Sequence, residues 1–337
     1  MKKLHLLFIV FLAVSFNIKG QDPHFSQFFS SPLTLNPALT GKFDGTIRVA
    51  TNYRNQLPTF NNAYTTSTVS VDFSVLQKNL PENDTWGVGL IGLTDKAASG
   101  ILKSNYFGVS TSYHKALNED GYSQLGLGFQ AVYAQRSLDL SKLVFEDQLT
   151  SNGFDLTVPS SDIALIKKPN ISYVDINSGL IFTTSTNDRN NFYVGVSMYH
   201  INRPKESFNG GNLNINPRTT VSGGGYFPFA TGLTMHVSSI YQLQNQSSEL
   251  LFGGALSKSL NNDESNPSNI YAGAWMRLKD AIIPYVGLEF NGIRIGATYD
   301  VNTSSLKSGS QSRGGFELSL IYIKRPADGR NLPCPKF

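Results

Sequence analysis

Few residues of this chain have the types and spacing that catalysis or cofactor binding requires. Residues 87–92 match the GxGxxG pattern of dinucleotide-binding loops, but they lie inside an alternating strand pattern with no helix after it to hold a phosphate. The sequence contains no GxSxG, HExxH or phosphate-binding motif, and no convincing set of serine, histidine and acid. We therefore predict no catalytic or cofactor-binding residues.

The side chains that commonly bind metal ions are too few and too scattered. His24, His114, His200 and His236 have no metal-like spacing. Cys334 is the sole cysteine, which excludes a disulfide within the chain and leaves a zinc or redox site short of ligands. We predict no metal site, and we predict structural, hydrogen-bonded roles for His114 and His236.

The composition narrows the class of protein. Charged residues make up 15% of the 337 residues, against roughly 25% in ordinary soluble domains. The chain has 22 phenylalanines, 15 tyrosines and 30 glycines, which argues against disorder, and its net charge of +4 predicts no binding to nucleic acid. The chain is therefore either a large all-β protein or a protein whose surface does not face water.

Residues 1–20 are typical of a secretory signal peptide. Lys2 and Lys3 precede an apolar run over 4–16, and a short polar stretch then ends in Gly20. The run is shorter than the ~20 residues that a membrane-spanning helix needs, and no later apolar stretch approaches that length. We predict cleavage after Gly20 rather than a membrane anchor.

Alternation dominates the chain beyond residue 44. Apolar residues alternate with small or polar ones over about ten residues at a time before a turn signal, and a period of two predicts strands. About fourteen such segments occur, with the weakest patterns near 223 and 274; they are centred near residues 49, 70, 89, 110, 129, 178, 196, 223, 237, 252, 274, 286, 296 and 319. An even number suits a closed antiparallel β-barrel, which we predict over residues 44–323.

Charge indicates what the two faces of these strands contact. Parity alone fits both a soluble sandwich with charges outside and a membrane barrel with charges in its lumen. A soluble sandwich needs many more lysines and glutamates on its water-facing parity, which here holds mostly Gly, Ser, Thr, Asn and Gln. We therefore predict a transmembrane antiparallel β-barrel. The charges predicted to face its lumen are Arg48, Asp72, Glu289, Arg294, Asp300 and Glu317.

The connections fall into two sets. Those after odd-numbered strands, at 56–63, 95–103, 136–170 and 202–216, are longer on average than those after even-numbered strands, such as Asn291-Gly292. In outer-membrane barrels the longer set faces outside. The extracellular loop 136–170 is too apolar for a merely solvated loop. It either packs back on the barrel as a plug or a cover, or docks a partner through residues such as Phe145 and Phe154.

Both ends carry segments outside the strand pattern. Residues 21–43 are rich in apolar side chains, including Phe25, Phe28 and Phe29, and contain Asn36-Pro37. They are predicted to form either a plug in the lumen or across its base, or a docking surface for a periplasmic partner. Residues 324–337 are predicted to be a periplasmic tail.

These ends also carry the most specific motifs. After Gln21-Asp22 the chain has His-Phe-Ser-Gln, Pro-Leu, Asn-Pro-Ala and Thr-Gly in order, then Tyr-Arg-Asn-Gln at 53–56, and Cys-Pro-Lys-Phe at 334–337. In these motifs the sequence resembles the PorP/SprF family of outer-membrane proteins attached to the type IX secretion system. Length and strand layout are similar over the whole mature chain.

The resemblance implies a non-enzymatic outer-membrane barrel of a Gram-negative, Bacteroidetes-type bacterium, one that serves type IX secretion and gliding and has no cofactor. The partners it implies are a secreted adhesin or other cargo with a C-terminal sorting domain, periplasmic components of the secretion system, and outer-membrane lipid. A transport channel for small or apolar molecules is the alternative, because Asn36-Pro37-Ala38 also resembles the hatch of fatty-acid transporters.

Overall fold

The computed structural model describes residues 22–325 apart from 61–62, 187–189 and 262–266. The predicted signal peptide at 1–20, and the tail beyond Arg325, lie outside the described residues. No helix within this described part is both long and apolar enough to cross a membrane.

The described residues form a closed antiparallel barrel of fourteen strands, together with a small separate hairpin made of β6 and β7. The strands are β1 Ile47–Gln56, β2 Tyr64–Val75, β3 Thr85–Ala97, β4 Leu102–Ala116, β5 Ser123–Leu138, β6 Leu149–Thr150, β7 Gly153–Phe154, β8 Asn170–Thr184, β9 Asn191–Tyr199, β10 Arg218–Ala230, β11 Leu233–Gln244, β12 Ser247–Ser259, β13 Asn269–Arg277, β14 Ala281–Phe290, β15 Ile293–Asn302 and β16 Arg313–Lys324.

Helices are short in the described residues. Two single-turn α-helices cover Pro32–Leu35 and Lys307–Ser310. The 3₁₀ turns are Phe28–Ser30, Pro37–Leu39, Pro58–Phe60, Gln77–Asn79, Ala98–Gly100, Leu140–Lys142, Glu146–Gln148 and Asp162–Leu165.

Barrel strands pair with their neighbours in the chain, and β1 pairs with β16 to close the ring. All fourteen predicted strands are present, including the weak patterns at β10 and β13. At the short Asn291-Gly292 connection both residues have positive φ, 50° and 75°, as a type I′ hairpin turn requires. The all-β barrel prediction is therefore confirmed.

The two ends of the barrel differ. We call the end where β1 begins at Ile47 and β16 ends at Lys324 the chain-end rim, and the opposite end the far rim. The long loops 139–169 and 200–217 both leave from the far rim. Two predicted loop boundaries were wrong: β3 and β4 stay paired through Lys96 and Lys103, and β5 continues to Leu138. Backbone pairing continues there although the apolar alternation has ended, because ladder hydrogen bonds do not depend on side-chain type.

The outward face of the barrel is apolar and the inward face is polar. On β4, Phe107 is 63% exposed and Val109 is 57% exposed, whereas the inward Ser110 and Ser112 are buried. The same alternation runs along β14, whose ten residues alternate strictly between buried and exposed. A continuous outward band of exposed large apolar side chains suits contact with lipid, since water would penalise it.

Residues 22–43 lie inside the barrel. The segment starts near the far rim, where Asp22 contacts the ends of β9 and β11, and it descends to Phe43 before entering β1 at the chain-end rim. Its apolar side chains form a core with inward residues of the barrel wall. The segment contributes Phe28, Leu35 and Leu39, and the wall contributes Ile181, Ile240, Leu251 and Trp275. We call residues 22–43 the lumen segment.

Candidate functional site: the lumen segment and the far-rim loops

The lumen segment is anchored at the far rim by a histidine between two carboxylates. His200 Nε2 lies 2.7 Å from Asp22 Oδ2, and His200 Nδ1 lies 3.0 Å from Asp175 Oδ2. Arg218 Nη1 lies 3.5 Å from the same Asp22 oxygen. Burial on its own would lower the pKa of His200, but the two carboxylates outweigh it and raise this pKa to about 9. A charged His200 therefore holds Asp22 to the wall at neutral pH.

The contacts with His200 and Arg218 also lower the pKa of Asp22. Burial raises the pKa of a carboxyl group, but the charge of Arg218 and the hydrogen bond and charge of His200 outweigh it, so the pKa of Asp22 falls well below its usual range. The Asp22 amide N–H also donates to Gln244 Oε1 over 3.0 Å. The start of the lumen segment is thus an anionic group held by His200, which follows β9, by Arg218 of β10 and by Gln244 of β11.

A second anchor holds the next residues against the opposite strands. His24 Nε2 lies 3.0 Å from Glu249 Oε2, and Arg54 donates to the carbonyl oxygen of His24. Arg277 Nε lies 3.2 Å from the same Glu249 oxygen. Both guanidinium groups also approach Asp300 Oδ2 at 3.0 Å, so Asp300 is a buried carboxylate neutralised from two sides.

Glu317 binds the backbone of the lumen segment. The amide N–H of Ser26 donates to Glu317 Oε2 over 2.8 Å, and that of Gln27 donates to Glu317 Oε1 over 2.9 Å. Ser319 Oγ donates to the Gln27 side-chain oxygen over 2.7 Å. A carboxylate that accepts two backbone N–H groups fixes both position and direction of the chain.

Asn36 lies where the lumen segment meets Gly179 of β8 and Gly195 of β9. Its side-chain oxygen accepts the N–H of Ala38 over 2.9 Å and so caps the turn Pro37–Leu39, while its amide donates to the carbonyl of Leu180 over 3.0 Å. A Cβ at Gly179 would come within 1.9 Å of the Asn36 side-chain oxygen. The contact therefore requires glycine at that point of β8.

The lower part of the lumen segment is held by a buried ion pair. Arg48 Nη2 lies 2.7 Å from Asp72 Oδ2, both side chains are almost fully buried, and the N–H of Gly41 donates to the same Asp72 oxygen over 2.7 Å. Arg48 also donates to the carbonyl of Leu39 over 2.9 Å. Lys42 donates to Gln124. Each buried charge in this region thus has a partner, as burial requires.

The structure places the six predicted lumen charges on the inward face of the barrel. Arg48 pairs with Asp72, and Glu289 lies 3.1 Å from Arg294 across the β14–β15 hairpin. Asp300 accepts a hydrogen bond from the Ser26 hydroxyl over 2.9 Å, and Glu317 accepts the backbone N–H groups described above. Sequence reasoning missed His200, Arg54 and Arg277 as anchors. Arg277 carried a usable signal, because it shares the inward parity of β13 with Trp275, but nothing in the sequence indicated their distant partners.

The predicted partner-binding residues of the lumen segment pack inside the barrel. Phe25, Phe28 and Asn36 are buried, and Pro37 lies against Gly128 of β5. Phe29 is half-buried and packs on Trp275, with ring centroids 4.8 Å apart. In this closed arrangement these side chains contact the wall of the barrel rather than an outside surface.

The loops at the far rim, unlike the lumen segment, form an exposed surface. Loop 139–169 includes the β6–β7 hairpin and rests on loop 200–217, where the N–H of Lys168 donates to the carbonyl of Phe208 over 3.0 Å and Arg136 pairs with Glu206. Between the two loops lies a groove of about 540 Å³, lined on its apolar side by Phe145, Leu165, Ile166, Phe208 and Leu213. We call it the far-rim groove.

Apolar side chains around the far-rim groove face outward. Phe154 on the hairpin is 59% exposed and Leu165 is 64% exposed, while Phe145 is half-buried. These residues lie beyond the ends of the barrel strands, on the loops of the far rim. Exposed apolar clusters of this kind mark interaction surfaces.

Within the ranges that the structure describes, no group of three His, Cys, Asp or Glu side chains is arranged to hold a metal ion. The buried carboxylates of Asp72, Asp300 and Glu317 instead accept hydrogen bonds from the lumen segment.

The sequence of the whole chain identifies its family. The family described as "Type IX secretion system membrane protein PorP/SprF" matches residues 17–322. The chain belongs to the PorP/SprF family. This PorP/SprF chain is therefore an outer-membrane β-barrel of the type IX secretion system in a Gram-negative bacterium, which confirms the predicted family, fold class and location.

Comparison with curated protein sequences gave no match. Among solved structures, the toluene transporter TodX of Pseudomonas putida is similar at 9% identity and a TM-score of 0.49, over 86% of this chain and 92% of that one. The monoaromatic hydrocarbon channel CymD is similar at 10% identity and a TM-score of 0.48, over 91% and 96% of the two chains. A FadL homologue of Pseudomonas aeruginosa has 10% identity and a TM-score of 0.45, over 85% and 92%.

Proposed function

We propose that this PorP/SprF barrel is a non-enzymatic, plugged scaffold that supports the secretion and surface attachment of a partner protein. The partner is a secreted adhesin or other cargo, held through its C-terminal sorting domain. The observation that carries the proposal is the lumen segment: the barrel is filled by its own chain, which is held by wall contacts from the far rim to the chain-end rim.

A filled lumen favours a scaffold over a channel. A transport route needs a continuous gap, whereas here the segment is bound on several sides by buried charges and by backbone hydrogen bonds. Releasing it exposes paired charges such as Arg48 and Asp72, which makes opening costly without a ligand that compensates them. A channel for small or apolar molecules is the alternative, and it predicts steady current through the undeleted protein in planar bilayers.

The far-rim groove and the exposed hairpin are the surface proposed for the partner. With the chain-end rim in the periplasm, the far rim faces outward, where a secreted protein arrives. The apolar side chains Phe145, Phe154 and Leu165 supply the hydrophobic centre that a stable protein interface needs. The chain-end rim is left to anchor periplasmic components of the secretion machinery.

Co-purification of the barrel from its own cells in mild detergent tests this proposal. Mass spectrometry is expected to find a secreted protein with a C-terminal sorting domain bound to the wild type. The double variant Phe145→Ser and Phe154→Ser is expected to lose most of it, because truncating central aromatic side chains typically costs about 2 kcal/mol or more each.

Phe60→Ser is the matched control, because Phe60 is also about half exposed in a far-rim loop but lies neither in the groove nor on the β6–β7 hairpin. It is expected to retain the partner. The proposal fails if the wild type carries no such protein, or if the double variant retains as much as the control.

A further inference from the structure

Two lysines lie side by side on the outward face of the barrel near the far rim. Lys96 on β3 is directly opposite Lys103 on β4, and both side chains are exposed. Lys96 shares the outward parity of Leu90, and Lys103 shares that of Phe107; both of these apolar side chains are exposed as well. The two ammonium groups therefore lie on the same outer surface as the apolar band.

A third lysine comes from the loop that follows β5. Lys142 Nζ and Lys103 Cε both lie 3.8 Å from the position that a Cβ would take at Gly100, in the turn between β3 and β4. Three lysines from separate parts of the chain thus meet at one place on the far rim. We call Lys96, Lys103 and Lys142 the far-rim lysine cluster.

The chain neutralises this cluster only in part. Lys142 Nζ lies 3.7 Å from Asp139 Oδ2, and Asp139 Oδ1 also accepts the N–H and the hydroxyl of Ser141. Within the part of the chain that the structure describes, Lys96 and Lys103 make no ion pair. Like charges directly opposite each other on two strands destabilise a sheet. An anion bound from outside would remove this repulsion.

The two ends of β4 differ in this respect. Lys115, at the chain-end rim, is also on the outward face, but its Nζ lies 3.2 Å from Asp84 Oδ2. Asp95, the neighbour of Lys96 in the chain, has the inward parity and accepts the hydroxyl of Thr66 over 2.6 Å. The chain therefore supplies a carboxylate to the outward lysine at one end of β4 and leaves the opposite end positive.

The surface below the cluster changes from charged to polar to apolar. After Lys103 the next outward residue of β4 is Asn105, whose side-chain oxygen accepts the hydroxyl of Thr94 on β3 over 2.9 Å. The exposed apolar residues Phe107 and Val109 follow on the same face, beginning about 13 Å from Lys103 along the strand. Charge, then hydroxyl and amide groups, then apolar side chains match the order of groups in a glycolipid that carries phosphate on its sugars.

The position of the cluster selects one leaflet of the membrane. The long loops 139–169 and 200–217 leave from the far rim, and outer-membrane barrels carry their longer loops outside. The far rim therefore meets the outer leaflet. In a Gram-negative outer membrane this leaflet contains lipid A, whose disaccharide headgroup carries phosphate.

We propose that the far-rim lysine cluster binds the phosphate of a lipid A headgroup in the outer leaflet, with the acyl chains against the apolar band of β3 and β4. The lysines supply point charges to the phosphate, while Asn105 and Thr94 lie level with the sugars. The proposal concerns the outer wall of the barrel and is independent of any secreted partner, so its failure leaves the proposed function untouched.

Binding of purified lipid A to the barrel in a neutral detergent, followed by native mass spectrometry, tests the proposal. Phosphorylated lipid A is expected to bind the wild type more tightly than the same lipid after its phosphate is removed. The double variant Lys96→Gln and Lys103→Gln is expected to bind the phosphorylated form roughly 30-fold more weakly, at about 1 kcal/mol for each lysine. Its binding of the dephosphorylated form is expected to stay unchanged.

The double variant Lys258→Gln and Lys324→Gln is the matched control. Both lysines are exposed, have the outward parity of their strands and lie at the chain-end rim, and the change in charge is the same. This control is expected to bind like the wild type. The proposal is overturned if the wild type does not distinguish the two forms of lipid A, or if both double variants lose binding equally.

Inorganic phosphate distinguishes a lipid headgroup from a free anion. At millimolar concentration it is expected to leave phosphorylated lipid A bound, because the apolar band holds the acyl chains as well. Full displacement of the lipid would show that the cluster takes free phosphate, and would overturn the proposal.

A second measurement uses the wild type alone, so it decides if the variants do not fold. The exposed lysines are acetylated with and without phosphorylated lipid A and are quantified by peptide mass spectrometry. If the bound state holds about 90% of molecules, acetylation of Lys96 and Lys103 is roughly tenfold slower with the lipid. Lys258 and Lys324 are expected to react at an unchanged rate, and equal protection of all four lysines would overturn the proposal.

Discussion

Individual residues of the lumen show how a chain with few charges uses them. Asp300 accepts contacts from Arg54 and Arg277, and Glu317 accepts two backbone N–H groups of the lumen segment. A buried charge without such partners would cost several kcal/mol, so these contacts secure the segment as much as they stabilise the wall. Several of the charges on the inward face of the barrel strands therefore also hold the lumen segment in place.

The contact between His200 and Asp22 predicts a pH dependence. The pKa of His200 is raised from 6.5 to about 9, so its charged form stabilises the closed state fully below pH 6.5, and this stabilisation is lost as the pH rises through 9. In planar bilayers we expect current openings to become more frequent across this window.

Asp22→Asn is the control for this pH effect. It removes the negative partner of His200, so openings are expected to be frequent at every pH and to depend little on it. Wild-type openings that stay constant from pH 6 to pH 10 would show that this contact does not hold the segment.

At the scale of elements, short turns are fitted to glycines in the strands. The turn Pro37–Leu39 approaches β5 so closely that a Cβ at Gly128 would lie 2.3 Å from the backbone of Pro37 and Ala38. Gly128 faces inward on a strand whose outward residues, such as Leu127 and Phe129, are exposed. Glycine at position 128 therefore leaves room for the lumen segment, while the outward side of β5 stays apolar.

Gly128→Val is expected to displace the lumen segment while the barrel still forms. Overpacking of this kind typically costs about 1–3 kcal/mol, which shifts the balance between the seated and displaced segment by roughly 5-fold to 150-fold. The measurement is the fraction of time that single barrels conduct in a planar bilayer.

Gly92→Val is the matched control, because the nearest atom to a Cβ there is an outer methyl group of Val69 at 3.6 Å. It is expected to behave like the wild type. If Gly128→Val remains as silent as this control, the close approach at Gly128 does not decide whether the segment stays seated.

At the scale of the whole molecule, the protein consists of a ring of strands and the lumen segment inside it. Different contacts stabilise each of the two. The ring is closed by the ladder between β1 and β16, which runs from Ile47–Lys324 to Gln56–Gly315 and involves none of the lumen segment. The lumen segment joins β1 at the chain-end rim and is held by side chains from strands all round the ring. Ring closure and lumen closure are therefore separable.

Deletion of residues 21–41 tests this separation. The barrel is expected to assemble and to resist unfolding in detergent at room temperature, since the strand ladder is intact, but to pass steady current in planar bilayers. Secretion or retention of the partner is expected to be lost in cells.

The undeleted protein is the reference and is expected to be silent. Steady current from it would favour the transport alternative, and normal secretion by the deleted form would show that the lumen segment serves the structure alone.

The sequence alone determined the strands, because a period of two is a local property: each side chain faces lipid or lumen according to its parity, whatever its partner strand. That is why β10 and β13 could be located despite weak patterns, and why Arg48, Asp72 and Glu317 could be assigned to one face. Loop boundaries were less predictable, since at 95–103 and near Leu138 the backbone pairing continues past the residues at which the apolar alternation ends.

Only the tertiary structure decided where the lumen segment runs and what holds it. Asp22 meets His200 across 178 residues of chain, and Ser26 meets Glu317 across 291. No local pattern encodes such contacts, because they depend on the closed ring bringing all strands round one axis. The same reason explains the aromatic cluster around Phe29, in which Trp275 of β13 and Tyr285 of β14 contact a ring of the lumen segment only after the barrel closes.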